Sequence, residues 1–235
     1  MYKTYKKNCC YSYVGGFYPC FELAKYHKDK ILHVFFSSSA ENSEGYKKMC
    51  ALLDSSLISV DDRTFNRLKE KDNDHCIAVF SKYDSKLSSQ SPHVVLYNPS
   101  DMGNMGNIMR SMAAFDYKDL AVILPGCDSF NPKVVRSSMG SRFFVNVETF
   151  QTYQEYLASY PDRVYYTFML QAKKGLKDVK KPDGKFSLVF GNEASGLPRE
   201  LLNENSLIIE QSDKVDSLNL ATSVVLALYE FKYLK

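Results

Sequence analysis

Five polar residues carry the chemical interest of this chain: Asn104 and Arg110 in NMGNIMR, Glu193 in the glycine-bounded loop GNEASG, and Ser217 and Asn219 in DSLNL. A guanidinium can hold a phosphate through a forked pair of hydrogen bonds. A carboxylate can take a proton or accept several hydrogen bonds, and serine and asparagine can position a substrate hydroxyl. Each also has an ordinary structural explanation. Arg110 can be a solvated charge, Glu193 can sit at the N-terminus of the next helix, and Ser217 and Asn219 are what a helix start wants. Gly103 and Gly106, following an apolar run, would let backbone N–H groups approach a phosphate. The GxGxxG spacing of a dinucleotide turn is missing, however, which argues against a nucleotide-dependent oxidoreductase.

The surrounding pattern places these residues. Val94–Tyr97 reads as a strand, and NPSDMGNMGN as a loop into a helix carrying Ile108, Met109, Met112, Ala113 and Phe115. Strands at 120–124, 143–147 and 164–170 alternate with helices at 132–139 and 152–159. Phe186–Phe190 is a strand that stops at Gly191, and Leu207–Ile209 is another. Asp216 or Ser217 then caps a helix with Leu218, Ala221, Val224, Val225, Leu228 and Phe231 on its apolar face. Such alternation predicts a largely parallel sheet covered on both faces. The polar residues fall where strands give way to loops, the edge at which open α/β sheets bind ligands.

The first part of the chain repeats the alternation on a smaller scale, with helices at 17–28, 41–53 and 63–71 and strands at 31–36, 58–60 and 77–80. Ser81–Pro92 is polar, Ser-rich and has almost nothing to bury. The expected division is a small α/β domain over 1–85, a linker over 86–92 and a larger α/β domain over 93–235.

Bulk properties restrict function less. A net charge of +3 in 235 residues suits an anionic partner without requiring one. The six cysteines lack metal-ligand spacing and are expected to be reduced thiols, with no metal. No signal sequence or membrane-length apolar run is seen, so a cytoplasmic protein with no membrane association is expected. Lys3, Lys6, Lys7, Arg136, Arg142 and the basic stretch 173–185, expected to be an exposed loop or hairpin, could meet phosphates. Tyr2, Tyr5, Tyr11, Tyr13 and Phe17 could stack on bases or be core.

The order of three blocks is more specific than any of them alone. NMGNIMR, LVFGNEASGL and DSLNLATSVVLALYE resemble the three motifs of the SpoU (TrmH) branch of the SPOUT superfamily, RNA ribose 2′-O-methyltransferases that use S-adenosyl-L-methionine. The likeness runs from about His93 to the C-terminus and includes FNPKVVRSSMGSRFFVNV, while YSYVGGFYPCFELAKYHKDKILHVFFSS is similar to the L30e-like substrate-binding domain of many members. The resemblance implies a C-terminal trefoil knot, a homodimer that completes the site, and RNA as substrate, ribosomal (23S) RNA before tRNA; a non-catalytic RNA-binding relative is the other alternative. It implies cofactor contacts at Gly191, Asn192, Ile209, Leu218 and Asn219. Catalytic roles fall to Arg110, Asn104, Glu193, Ser217 and Asn219, with Arg110 assigned to the 2′-hydroxyl. Because a guanidinium does not deprotonate in proteins, Arg110 is expected to pin phosphate and ribose and to stabilise the emerging alkoxide. One departure stands out: Ile209-Glu210-Gln211 occupies the place of the family's common Ile-Pro-Met.

Overall fold

A computed structural model describes residues 2–180, 182 and 184–234, so Lys181 and Asp183 of the basic stretch lie outside the described residues. In chain order the elements are β1 (Tyr11–Gly15), α1 (Phe17–His27), β2 (Ile31–Phe36), α2 (Glu44–Leu52), β3 (Ile58–Val60), α3 (Asp62–Leu68) and β4 (Cys76–Ser81). There follow β5 (His93–Tyr97), α4 (Met102–Ala114), β6 (Asp119–Ile123), α5 (Pro132–Ser137), β7 (Asn146–Phe150), α6 (Tyr153–Ser159) and β8 (Val164–Thr167). The last are β9 (Lys174–Gly175), β10 (Phe186–Phe190), β11 (Leu207–Ile208) and α7 (Leu220–Tyr233). No described helix is long and apolar enough to cross a membrane.

The chain divides into two compact units, one of residues 1–83 with 128–144 and one of residues 84–127 with 145–235. The first is built on a sheet of order β1-β4-β2-β3, in which β4 runs antiparallel to β1 and β2 while β3 lies parallel to β2. Strand β1 was not anticipated from the sequence. Its Tyr/Ser/Tyr/Val alternation suits a strand buried on both sides: Ser12 and Val14 are buried on one face and Tyr13 on the other. Tyr2, Tyr5, Tyr11 and Tyr13 pack with Phe35, Phe65 and Leu68, and Phe17 packs on the opposite core, so these aromatics are core rather than free base-stacking platforms.

Residues 128–144 belong with this unit, not with 93–127 as the sequence suggested, because their side chains complete its core. Val135 and Phe143 join Val14, Leu23 and Phe80, and the Ser12 hydroxyl donates to the Phe130 carbonyl. The expected phosphate-binder Arg142 is 1% exposed, with its guanidinium 4.2 Å from the Phe130 ring centroid and within reach of the Tyr83 hydroxyl. Arg136 is engaged by Glu70 at 2.6 Å.

The second unit holds five parallel strands in the order β7-β6-β5-β10-β8 and a small β11-β9 pair. Val95, Ala121, Ile123 and Val189 share a cluster with Tyr153 and Tyr156 of α6. On the other face, Phe231 of α7 packs on Tyr166 and Phe186, with ring centroids 4.9 and 5.2 Å away. Two expectations move here. The 143–147 strand is displaced to 146–150, because Ser141–Phe143 forms a 3-10 turn after the left-handed Gly140. The expected linker is packed rather than free: Leu87 is 6% exposed, its N–H reaches Glu148, and Ser88 donates to Asp119.

At the N-terminal edge of this sheet, His93 is fully buried. Its Nε2 lies 2.8 Å from the Ser88 carbonyl and 3.2 Å from Arg163 Nη1, and its Nδ1 lies 3.0 Å from the Tyr156 hydroxyl. Burial, with Arg163 alongside and against the Ser88 hydrogen bond, lowers its pKa from 6.5 to about 4. The unfolded chain therefore takes up a proton first, and stability present above pH 6.5 is lost as pH falls through that range toward about 4. Urea midpoints measured across this interval should fall with pH in the parent and run flatter in a His93→Gln variant; parallel curves would contradict the assignment.

Candidate functional site

The order of strands dictates where a site can form. From β5 the chain winds outward through β6 to β7, whereas β10 lies on the other side of β5, so the loops leaving the C-terminal ends of β5 and β10 diverge and open a crevice. Asn98–Asp101 leave β5 there, and Gly191–Leu197 leave β10.

The Glu193 carboxylate joins the two loops. One oxygen accepts from the Ser100 N–H at 3.1 Å and the Ser100 hydroxyl at 2.7 Å, and the other accepts from the Asp101 N–H at 3.1 Å and Asn104 Nδ2 at 3.3 Å. Glu193 thus stabilises the start of α4, a helix earlier in the chain, whereas its ordinary structural explanation placed it at the start of the next helix. Asp101 is the N-cap, accepting from the Asn104 N–H at 2.6 Å, so Gly103–Asn107 are helical and not a loop. Asn104 passes the connection on: its Oδ1 accepts from Asn219 Nδ2 at 3.0 Å, while Asn219 Oδ1 accepts from the N–H groups of Ala221 and Thr222 at 2.9 and 3.3 Å. Asn219, not Asp216 or Ser217, is therefore the N-cap of α7. Each amide orientation follows from its neighbour, because a carboxylate at one end accepts only and backbone N–H groups at the other donate only.

Asn192 braces the second loop from within. Its Nδ2 donates to the Asn98 carbonyl at 2.7 Å, and its Oδ1 accepts from the N–H groups of Ala194 and Ser195 at 2.9 and 3.2 Å. Gly191 is required for this fold-back: a Cβ there would lie well inside contact distance of the Gly196 and Leu197 backbone.

Around this framework lies a pocket of about 430 Å³, lined by residues of 168–171, 190–197, 207–211 and 217–223 together with Asn104. Phe168 and Phe190, stacked 4.4 Å apart, contribute apolar wall, and Ile209, Ser217 and Leu218 line the loop side. That volume and mixture suit a small organic cofactor. Eight of the nine expected site residues meet here: Asn104, Gly191, Asn192, Glu193, Ile209, Ser217, Leu218 and Asn219. Arg110 does not. It is exposed on α4, six residues beyond Asn104, hence about 9 Å along the axis and about 240° around it. Among the described residues, its guanidinium makes no hydrogen bond or ion pair.

The electrostatics separate positioning from proton transfer. Burial works to raise the Glu193 pKa, but the Ser100 hydroxyl and the backbone N–H groups of Ser100 and Asp101 outweigh it and lower the pKa from 4.5 to about 2. Such a carboxylate is a structural acceptor and a poor base. Sequence reasoning missed Ser100 and Asp101, although Asp101 followed three residues later by Asn104 ahead of an apolar helix was a readable capping signal. Glu193→Gln should lose about 1–2 kcal/mol of stability at neutral pH, on the scale of a lost helix cap. The difference from the parent should shrink as pH falls from 4.5 toward about 2, where the parent's own carboxylate protonates. Denaturant unfolding at each pH reads both; an unchanged difference would remove the carboxylate from this role.

A Geobacillus stearothermophilus protein provisionally assigned as a tRNA (cytidine(34)-2′-O)-methyltransferase is 31% identical over 144 residues, 59% of this chain and 91% of the relative. The Bacillus subtilis 23S rRNA (guanosine(2553)-2′-O)-methyltransferase RlmP is 28% identical, covering 66% of this chain and 63% of its own. The SpoU methyltransferase AviRb of Streptomyces viridochromogenes, solved in complex with AdoMet, shares the fold at a TM-score of 0.81 and 19% identity, over 95% of this chain and 90% of that one. The SpoU rRNA Methylase family model matches residues 91–229, and the chain belongs to that family.

Proposed function

We propose that this chain is an S-adenosylmethionine-dependent RNA ribose 2′-O-methyltransferase. The observation that carries the reading is the Glu193–Asn104–Asn219 chain of hydrogen bonds, which brings all three sequence blocks to the rim of one cofactor-sized pocket. S-adenosylmethionine, when bound, supplies a sulfonium methyl group for a ribose 2′-oxygen. The chain's own residues do the rest. Gly191, Asn192, Ile209, Leu218 and Asn219 would hold the cofactor, largely through backbone, with the aromatic wall excluding water on one side. The segments 186–197, 207–211 and 217–223 form the trefoil knot in this reading. Glu193 and Asn104 keep the start of α4 in register with that pocket, and Ser217 faces the ribose side.

Arg110 acts from a second copy in a homodimer. Its exposure, its distance around α4 from Asn104, and the exposed apolar face of α7 at Leu226, Tyr229 and Tyr233 support this arrangement. Brought to a partner's pocket, the guanidinium would hold the target phosphate and ribose and stabilise the oxygen as its proton leaves. The first unit would act as an L30e-like RNA-binding domain. Ribosomal RNA is the favoured substrate, supported by that added unit and by the likeness to RlmP. Methylation of tRNA is the second reading, favoured by the higher identity to the position-34 tRNA relatives. A cytoplasmic location follows from the RNA substrate.

Mapping 2′-O-methyl sites in total RNA with and without the chain decides between the substrates: a chain-dependent site in 23S RNA supports the first, one at tRNA position 34 the second, and none at all contradicts the activity. Arg110→Ala should lower kcat about 100-fold or more, the scale of a lost charge-stabilising donor. Gly191→Ala should abolish cofactor binding. Co-folding these two variants should restore activity, since a mixed dimer carries one pocket with both elements intact; no recovery would place Arg110 outside a shared site.

A further inference from the structure

The eleven residues from Ile209 to Asn219 leave β11 and return as α7, and Ile209, Gln211, Ser217, Leu218 and Asn219 along this loop line the pocket. Residues 212–217 are all exposed, so little burial holds the loop in shape. Among the described residues, the hydrogen bonds that cross it are two, both donated by Gln211 Nε2: to the Asp216 carbonyl at 3.2 Å and to the Val215 carbonyl at 3.4 Å. They close the loop immediately before Ser217 and Leu218. The preceding residue is anchored as well. Glu210 pairs with Lys177 Nζ at 3.1 Å, and its carboxylate lies close over Gly175, so that a side chain there would have to displace it.

We infer that Gln211 is a positioning residue for the cofactor: by clamping the Val215 and Asp216 carbonyls it presets Ser217 and Leu218 around the pocket, while the Lys177–Glu210 pair fixes the start of the loop. The inference rests on the methyltransferase reading. The physical reason is entropic. A loop of this length that is free before binding must be ordered when the cofactor arrives, and a side chain spanning four and five residues along the loop meets that cost during folding instead. An exposed ion pair alone would contribute little, so the amide carries the greater part.

Two substitutions separate donor chemistry from side-chain bulk. Gln211→Ala removes both bonds, and Gln211→Glu keeps the length but replaces the donors with a carboxylate that faces two carbonyls. Calorimetric titration of the full chain with S-adenosylmethionine should show Kd raised about fivefold in the alanine variant, the net worth of roughly one hydrogen bond, and at least as much in the glutamate variant. In turnover assays the rise in KM for S-adenosylmethionine should exceed any fall in kcat. Hydrogen exchange without cofactor should show faster exchange confined to amides 212–218, a readout that global destabilisation would spread over both units. Parent-like Kd and exchange in both variants would overturn the role of Gln211 while leaving the activity intact. A parent chain that does not bind S-adenosylmethionine would overturn the methyltransferase reading and this inference with it.

Discussion

The Glu193 carboxylate is the constraint on which the rest of the site depends. Two loops leave neighbouring strands in opposite directions, and nothing in a parallel sheet by itself obliges them to meet again. A half-buried carboxylate that accepts two backbone N–H groups, a hydroxyl and an amide binds the exit of β5 to the exit of β10. It satisfies donors that a helix start would otherwise leave to water. From there the geometry is inherited: Asn104 is held, Asn104 holds Asn219, and Asn219 starts α7. The pocket is what remains between these parts once they have been fixed.

The same constraint explains why a residue type that suggests acid–base chemistry has a structural task. A carboxylate with a pKa near 2 has committed its lone pairs to the fold, which in the proposed reaction leaves charge handling to the exposed guanidinium of Arg110. A cation on a helix surface away from its own pocket is a poor stabilising element for the fold, and in the proposed dimer it would serve when a ribose phosphate is presented to it. In the proposed function the division of labour is then positional: acceptors and amides hold the pocket's walls, and the exposed guanidinium of Arg110 would meet the RNA.

Much of this was legible in the sequence because the informative residues sit at element ends. Strand β10 stopping at Gly191 was readable from composition and spacing, and the order of the three blocks from their likeness to the motifs of a known family. What was not readable depended on tertiary partners. No local signal says that Glu193 would cap α4 and not the helix after it, since the preference of a carboxylate for helix N-termini names no particular helix. The boundary of the first unit was misplaced for a similar reason: Val135 and Phe143 look like core residues of any α/β sheet, and only packing shows that their core is that of Val14 and Phe80. Strand β1 was overlooked because aromatic residues on a basic N-terminal segment suit nucleic acid as well as they suit a buried face. The Ser-rich stretch before β5 was read as a linker because its composition is polar, yet its backbone N–H groups serve buried acids at Asp119 and Glu148.

The central claim is that the three blocks build one pocket for a methyl donor, and calorimetric titration of the full chain with S-adenosylmethionine, with NAD as the control ligand, tests it most directly. Saturable binding of one S-adenosylmethionine per chain, with no heat from NAD, is the predicted result; a folded chain that gives no heat with S-adenosylmethionine, or that prefers NAD, would contradict it.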